Sequence, residues 1–386
     1  MIPYGKQDIN QQDIDAVIDV LKSDFLTQGP QVPAFEQAMQ KQCNAKHAIA
    51  VNSATSALHI ACLALGVSKG DLVWTTPISF VASANCALYC GASVDFVDID
   101  AVTYNLCSAK LEEKLIYAKA NNLQLPKVLI LVHLSGEPCE MLEISKLAKE
   151  YHFSIIEDAS HAIGSEYKGN KIGSCQFSNI TVFSFHPVKI ITAGEGGVAT
   201  TNDVELADKM LLFRGHGITR DTQQMVGESH GDWYYQQITL GYNYRMTELQ
   251  AALGLSQLNR LEAFVERRNV IAEYYDQELQ NLPIHLPTQK SEHKSSRHLY
   301  IIRLELQKIS HSHKGVFNAI REKGVGVNLH YIPIHLQPYY QGLGFKEGDF
   351  PTAEKYYREA ISIPLYPQMS EMQLDEVCAV LRIVLV

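Results

Sequence analysis

Lys189 follows closely on Pro187, which ends a run from Thr181 to Phe185 dense in β-branched and aromatic residues. That run reads as a strand, and proline stops it because it cannot donate to a ladder. Beyond the lysine come Thr192, a tight AGEGG turn over residues 193–197 and a second apolar run, Val198-Ala199-Thr200. A hairpin-like loop therefore holds one lysine just past a strand end. A desolvated amine attacks carbonyls readily, so Lys189 is a candidate Schiff-base nucleophile. Ser184, five residues earlier, could offer its hydroxyl to a phosphate. A surface loop lysine and a strand serine account for the same letters, since lysine is common on surfaces.

Two further stretches could take part. Residues 47–51 form a short apolar strand that runs directly into Asn52-Ser53-Ala54-Thr55-Ser56-Ala57-Leu58. Asn52 or Ser53 caps a helix reaching about Leu65, with Gly66 ending it. The free N–H groups and positive dipole end of such a helix suit an anion such as phosphate. A well-capped buried helix that binds nothing fits equally. Phe80 opens another helix, where an aromatic can stack on a planar ring or simply join the core.

The elements that must position these residues alternate. Helices are expected over 8–22 and 32–43, then strands at Leu72–Thr75 and Ala92–Val97 with a helix to Tyr89 between them. A helix over Leu111–Ala120 precedes Val128–His133, a continuous apolar strand of the kind buried on both faces. A helix over Glu143–Tyr151 leads to the strand Phe153–Ile156, with Glu157 and Asp158 at its carboxyl end. Strands alternating with helices predict a mostly parallel sheet with right-handed crossovers. Ligands bind beyond the carboxyl ends of such strands, so Asp158, Ser184, Lys189, the 52–56 turn and Phe80 are expected on one edge.

Arg214 to Gln237 is too polar for core and reads as a loop crossing a surface or a partner. A long helix is expected from Thr247 to about Glu278, followed by a linker over 281–290. His298–Leu306 alternates like a strand, Lys314–Lys323 reads as a helix, and residues 325–340 as strand then loop. Helices over Pro351–Ile361 and Met372–Leu385 close a smaller α+β part.

The 386 residues suggest about two domains, and a 46% hydrophobic content supplies a large core. A formal charge of −9 with no basic stripe argues against nucleic acid. The first residues, MIPYGKQDIN, carry no apolar signal region, and no run approaches a membrane span. The eight cysteines form no CxxC pair, which reads as reduced thiols in a cytoplasmic protein with no metal site. The GEGG turn lacks the lysine pattern of a P-loop.

Six motifs carry a resemblance. They are NSATSAL at 52–58, TTPISF at 75–80, EDASHAIG at 157–164, FSFHPVKIITAGEGG at 183–197, GYNYRMTE at 241–248 and LHYIPIHLQPYY at 329–340. In this order, over nearly the whole chain, they resemble the sugar aminotransferases of the DegT/DnrJ/EryC/StrS family, which are fold-type I pyridoxal-phosphate (PLP) enzymes. The resemblance implies an α/β fold: a large, mostly parallel α/β/α sandwich domain over 1–245, a long connecting helix over 246–280, and a smaller C-terminal α+β domain over 281–386. One departure is Ala193, where relatives usually carry a second threonine after Thr192.

The family pattern assigns roles residue by residue. Lys189 matches the lysine that anchors PLP and shuttles the proton. Asp158 matches the carboxylate that keeps the pyridine nitrogen protonated, so that the ring can act as an electron sink. His161 matches a position near the ring oxygen, although a structural histidine fits the letters too. Thr55, Ser56 and Ser184 would hold the phosphate, and Phe80 would stack on the ring. Asn243 matches an asparagine that a second subunit contributes, which implies a homodimer with shared active sites. Thr27, Gln28 and Gly29, His330 and Tyr331 match segments that touch a nucleotide sugar. Arg245 could meet a diphosphate or a donor carboxylate.

Within the family, SDFLTQGP at 23–30 and TTPISFVASAN at 75–85 are most similar to members acting on the way to pseudaminic acid, a sugar of flagellin glycosylation. The implied reaction is ping-pong amino transfer from L-glutamate to the C4 keto group of a UDP-linked 4-keto-6-deoxy-N-acetylhexosamine. Another UDP- or dTDP-linked 3- or 4-keto sugar is the alternative. PLP-dependent sugar dehydration is a rival, but dehydrating relatives carry histidine where this chain keeps Lys189. A non-catalytic binding protein would need neither Lys189 nor Asp158.

Overall fold

The computed structural model describes residues 1–386. Its centre is a seven-stranded sheet of β1 (His47–Val51), β2 (Leu72–Thr75), β3 (Ser93–Phe96), β4 (Val128–Val132), β5 (Ser154–Asp158), β6 (Ile180–Ser184) and β7 (Gly197–Thr201). The spatial order is β1-β7-β6-β5-β4-β2-β3. All neighbours from β3 to β6 run parallel, and β7 lies antiparallel between β6 and β1. The expected mostly parallel α/β sheet is therefore present.

Side-chain alternation explains why the sheet carries helices on both faces. Leu129 and Leu131 join a core with Phe35, Met39, Phe183 and Val198 on one side. Val128 and Ile130 join Ile49, Val73, Ile156 and Val182 on the other. Every residue of β4 and β6 is buried, as an apolar strand covered twice must be.

A second core lies around an antiparallel sheet of β8 (Ile284–His285), β9 (Tyr300–Leu304) and β10 (Ala360–Ile363). Tyr300, Ile302 and Ile361 pack there on Val316, Ile320, Leu374 and Leu381. Ile2 belongs to this core too: its N–H donates to Gly324 O and its carbonyl accepts from Gly326 N–H.

Two expectations need correction. The long helix is two, Glu248–Leu258 and Leu261–Leu279. Arg260 between them leaves helical geometry at φ −105°, ψ 4°, and its guanidinium is held by Asp8 and by the buried Asp13. The second of these helices gives Leu261 and Phe264 to one core and Ile271 and Tyr275 to the other. The helix expected to reach Ile361 ends at Glu359, because Ala360–Ile363 is wholly buried and pairs with β9. Val204–Arg214 is a further helix, whose N-cap Asp203 accepts from the amides of Glu205 and Leu206.

The polar tract after Arg214 contains one short pair, Ile218–Thr219 with Gln236–Gln237, and leaves Val226, Trp233 and Leu240 largely exposed. No helix is long and apolar enough to cross a membrane.

Candidate active site

β4, β5 and β6 end together at a cavity of about 450 Å³, lined among others by Asp158, Ser184 and Lys189. The chain leaves β6 through a turn in which Lys189 N–H donates to His186 O. It is then pinned back by Thr192, whose hydroxyl donates to Phe185 O and accepts from Gly194 N–H. Ala193 donates its amide to Phe185 O and is buried. The Thr192 hydroxyl and the Ala193 amide thus close the loop together on Phe185 O. Lys189 is partly open to the cavity, yet its surroundings are dense enough that burial pushes the amine down to about 8 against the opposing pull of Asp158.

Asp158 ends β5 and is 5% exposed. Its Oδ1 accepts from the Ser160 hydroxyl at 2.5 Å and the Ser160 amide at 3.1 Å, and its Oδ2 accepts from Ser83 Oγ at 2.6 Å.

Across the cavity, Ser53 caps the helix Ala54–Ala64 by accepting from Ser56 N–H. Ser56 then gives its hydroxyl to Asn52 Oδ1 at 2.7 Å. The amides of Ala54 and Thr55, at the positive end of the helix, have no acceptor within the chain. β7 passes so close that a Cβ on Gly197 would lie 2.6 Å from Ala54 N, so only glycine lets the strand and the helix start meet.

His161, in the turn after β5, is held between two segments distant in sequence. Its Nδ1 accepts from Ser135 N–H at 3.3 Å, with Ser135 itself in left-handed backbone at φ 61°. Nε2 therefore carries the proton and donates to the Tyr331 hydroxyl at 3.1 Å. The His298 ring packs against His161 at a tilt, with centroids 4.3 Å apart. Burial first, and then the Lys189 charge, hold His161 well below the usual histidine range. Burial also takes His298 well below it, and takes His330 down to about 3.

The cavity brings together Thr55, Phe80, Asp158, His161, Ser184, Lys189, His330 and Tyr331. Phe80 is 59% exposed at its mouth, a wall rather than core. Ser56 lies just behind, with both its amide and its hydroxyl engaged. Thr27, Gln28, Gly29, Asn243 and Arg245 are not among the lining residues of this chain's own cavity. Asn243 is exposed, next to Tyr242 and Tyr244, whose rings stack at 5.0 Å.

Several site residues escape a reading of the sequence. Tyr4 reaches the cavity because the first residues are zipped to the second core, with Leu365 N–H donating to Tyr4 O. Ser83 and Ser160 hold Asp158, and His298 backs His161. Only the spacing of Ser160, two residues past Asp158, offers a local signal.

A planar ring bearing a phosphate, an aldehyde and a basic nitrogen fits this donor set. The two unpartnered amides with the Thr55 and Ser184 hydroxyls suit the phosphate. The triply bonded Asp158 suits a protonated ring nitrogen, and the Lys189 amine suits the aldehyde.

The comparisons with known proteins agree with that chemistry. The profile of the DegT/DnrJ/EryC1/StrS aminotransferase family matches residues 7–382. The spore coat polysaccharide biosynthesis protein SpsC of Bacillus subtilis is 38% identical over 384 residues, covering 99% of this chain and 96% of its own. The UDP-4-amino-4,6-dideoxy-N-acetyl-beta-L-altrosamine transaminase of Campylobacter jejuni (strain 81-176) is 41% identical over 371 residues, 96% of this chain and 94% of its own. Among solved structures, Helicobacter pylori PseC, described as an aminotransferase involved in the biosynthesis of pseudoaminic acid, superposes with a TM-score of 0.90. It is 32% identical and covers 100% of this chain and 99% of its own. The PLP form of the putative sugar aminotransferase Spr1654 from Streptococcus pneumoniae gives 0.88 at 29% identity, with 100% of both chains covered.

Proposed function

Because the chain belongs to the DegT/DnrJ/EryC1/StrS aminotransferase family, and is thereby a PLP-dependent sugar transaminase, we propose that it aminates C4 of a UDP-linked 4-keto-6-deoxy-N-acetylhexosamine. L-Glutamate is the proposed donor, and the product is the 4-amino sugar named for the Campylobacter relative. The observation that carries the catalytic part is the convergence of Lys189, Asp158 and the Ala54–Ala64 helix start on one cavity. The sugar rests on likeness to the Campylobacter and Helicobacter proteins, with the Bacillus relative pointing more broadly to polysaccharide synthesis.

PLP, when bound, supplies an electron sink for the carbon that loses and regains its proton. The residues of this chain do the rest. Lys189 would tether the aldehyde, and its Nζ, brought down to about 8, is suited to take a proton from one carbon and return it to another. Asp158 would hold a positive charge on the ring nitrogen. The free amides of Ala54 and Thr55, with the Thr55 and Ser184 hydroxyls, would hold the phosphate, and Phe80 would cover the ring. Tyr331 accepts from His161, so its own hydrogen is free to point at substrate.

We further propose a homodimer in which Asn243, Arg245 and the 27–29 turn of one copy complete the cavity of the other. Two features support it. These residues lie outside their own chain's cavity, and apolar Ile14, Ile18, Leu21, Phe25 and Leu26 form an exposed stripe leading to the 27–29 turn.

A half-reaction panel tests the substrate. The holoenzyme is loaded with glutamate, then offered UDP- and dTDP-linked 3- and 4-keto sugars, and return of its starting visible absorbance is followed. Return with the UDP-4-keto sugar alone supports the proposal. Return only with a simple keto acid would falsify it.

A further inference from the structure

We infer that Ser83 is a positioning residue for the Asp158 carboxylate, with Ser79 as its support; the inference rests on the cofactor reading above. Ser83 lies in the first turn of the helix Ala82–Tyr89 and is wholly buried. Its Oγ stands 2.6 Å from Asp158 Oδ2. An ionised carboxylate can only accept, so Ser83 must give its one hydroxyl proton to Asp158. Ser79 Oγ is 2.7 Å away on the other side of Ser83 and must therefore be the donor to it. The chain of donation runs one way, Ser79 to Ser83 to Asp158, and a hydroxyl that accepts is a stronger donor.

The geometry does more than neutralise a buried charge. Asp158 Oδ1 is fixed by the amide and hydroxyl of Ser160, and Oδ2 by Ser83. With both oxygens held from separate segments, the carboxylate plane cannot turn about its side-chain bond. Its charge is aimed at the cavity before any ligand arrives, which removes a reorganisation cost from binding and turnover. Ser79 and Phe80 line the cavity one residue apart. The wall that covers the ring and the support of its carboxylate partner are thus one short segment, from Ser79 to Ser83. Serine in a helix often bonds back to its own backbone. Here the Ser83 hydroxyl instead crosses to β5, while its carbonyl takes the Cys86 thiol at 3.4 Å.

The test is titration of cofactor-free protein with PLP, followed by visible absorbance, for the wild type and the S83A, S83T and S79A variants, with the melting temperature of each apoprotein recorded. Loss of one hydrogen bond to a charged group predicts a PLP Kd raised about tenfold in S83A. S79A, which only weakens the donor, should raise it less, and S83T should bring it back toward the wild type. S83A that folds and binds PLP as tightly as the wild type overturns the inference. If S83A does not fold, S79A decides: an unchanged Kd overturns the inference, a raised one supports it. A role in packing alone would lower the melting temperature without moving the Kd. A wild-type protein that takes up no PLP would sink the proposed function instead, so the two failures are distinct.

Discussion

The Tyr331 hydroxyl lies 3.1 Å from Nε2 of His161, joining residues 170 positions apart where the sheet's carboxyl edge meets the segment that leaves the second core after Val327. The bond has one direction, because Ser135 N–H occupies Nδ1. Tyr331→Phe leaves a buried imidazole N–H without a partner and takes a donor from the cavity. We expect kcat/KM to fall about tenfold with a smaller change in PLP affinity, in line with the cost of one such bond. Steady-state kinetics beside a PLP titration separates the two effects; equal loss in both would deny Tyr331 a role toward substrate.

The pH profile should lack a histidine signature. His161, His298 and His330 are all held below the ordinary range by burial, so none takes up a proton near the usual pKa of about 6.5. A kcat/KM profile with an inflection there that disappears in His161→Asn would contradict the buried, neutral cluster.

Lys189 should stand apart from the other lysines in the cofactor-free protein. An amine brought down to about 8 is mostly uncharged and reactive above that pH and protonated below it. Trace labelling with acetic anhydride, read peptide by peptide, should give a midpoint near 8 at this position. A midpoint in the ordinary lysine range of about 10.4 would remove the desolvation argument. Lys189→Ala should lose about 10⁴-fold in kcat, the upper range for positioned proton transfer, with its melting transition kept.

The proposal of shared sites is open to a decisive complementation experiment. Lys189→Ala and Asn243→Ala should each be impaired alone. Co-refolded one to one, the mixture should recover activity in about a quarter of its sites, since each hybrid dimer carries one site with both residues intact. Recovery no greater than the sum of the two parents would show that Asn243 serves its own chain or none.

Behind Asp158, the neighbouring Glu157 faces the opposite side of β5. It accepts from His133 Nε2 at 2.8 Å, from Thr181 at 2.9 Å and from the Ser178 hydroxyl. Burial pushes this carboxyl up, but the three donors outweigh it and hold it below its usual value. A depressed folded pKa gives stability that is present above the unfolded carboxylate pKa and is lost as pH falls through the folded one. Glu157→Ala should therefore destabilise by about 3–5 kcal/mol at neutral pH, the usual cost of leaving partners of a buried charge unpaired. The gap to the wild type should narrow on acidification below about pH 4. Denaturant melts across that range check both the size and the sign.

Much of the sheet edge was legible because it obeys local rules. The β-branched run to Phe185, the capped start at Ser53 and the carboxylate ending β5 each announce themselves within a few residues. The gathering of Thr55, Phe80, Asp158, Ser184 and Lys189 at one cavity follows from strand order, since parallel strands deliver their ends to one edge. What stayed hidden depends on partners far along the chain. Arg260 breaks a helix because Asp8 and Asp13 hold it, and Ala360 turns extended because β9 offers it a ladder. Tyr4 enters the cavity only through backbone pairing with residues more than three hundred positions later. Such pairings leave no periodicity to read.

The bare α-carbon of Gly197 has a practical consequence. Strand and helix touch there backbone to backbone, so even a methyl group would have to displace the turn whose amides face the cavity. Crowding at the rim of the sheet would thus be felt as a change in ligand grip. For engineers hoping to stiffen this protein, that contact is a place to leave alone.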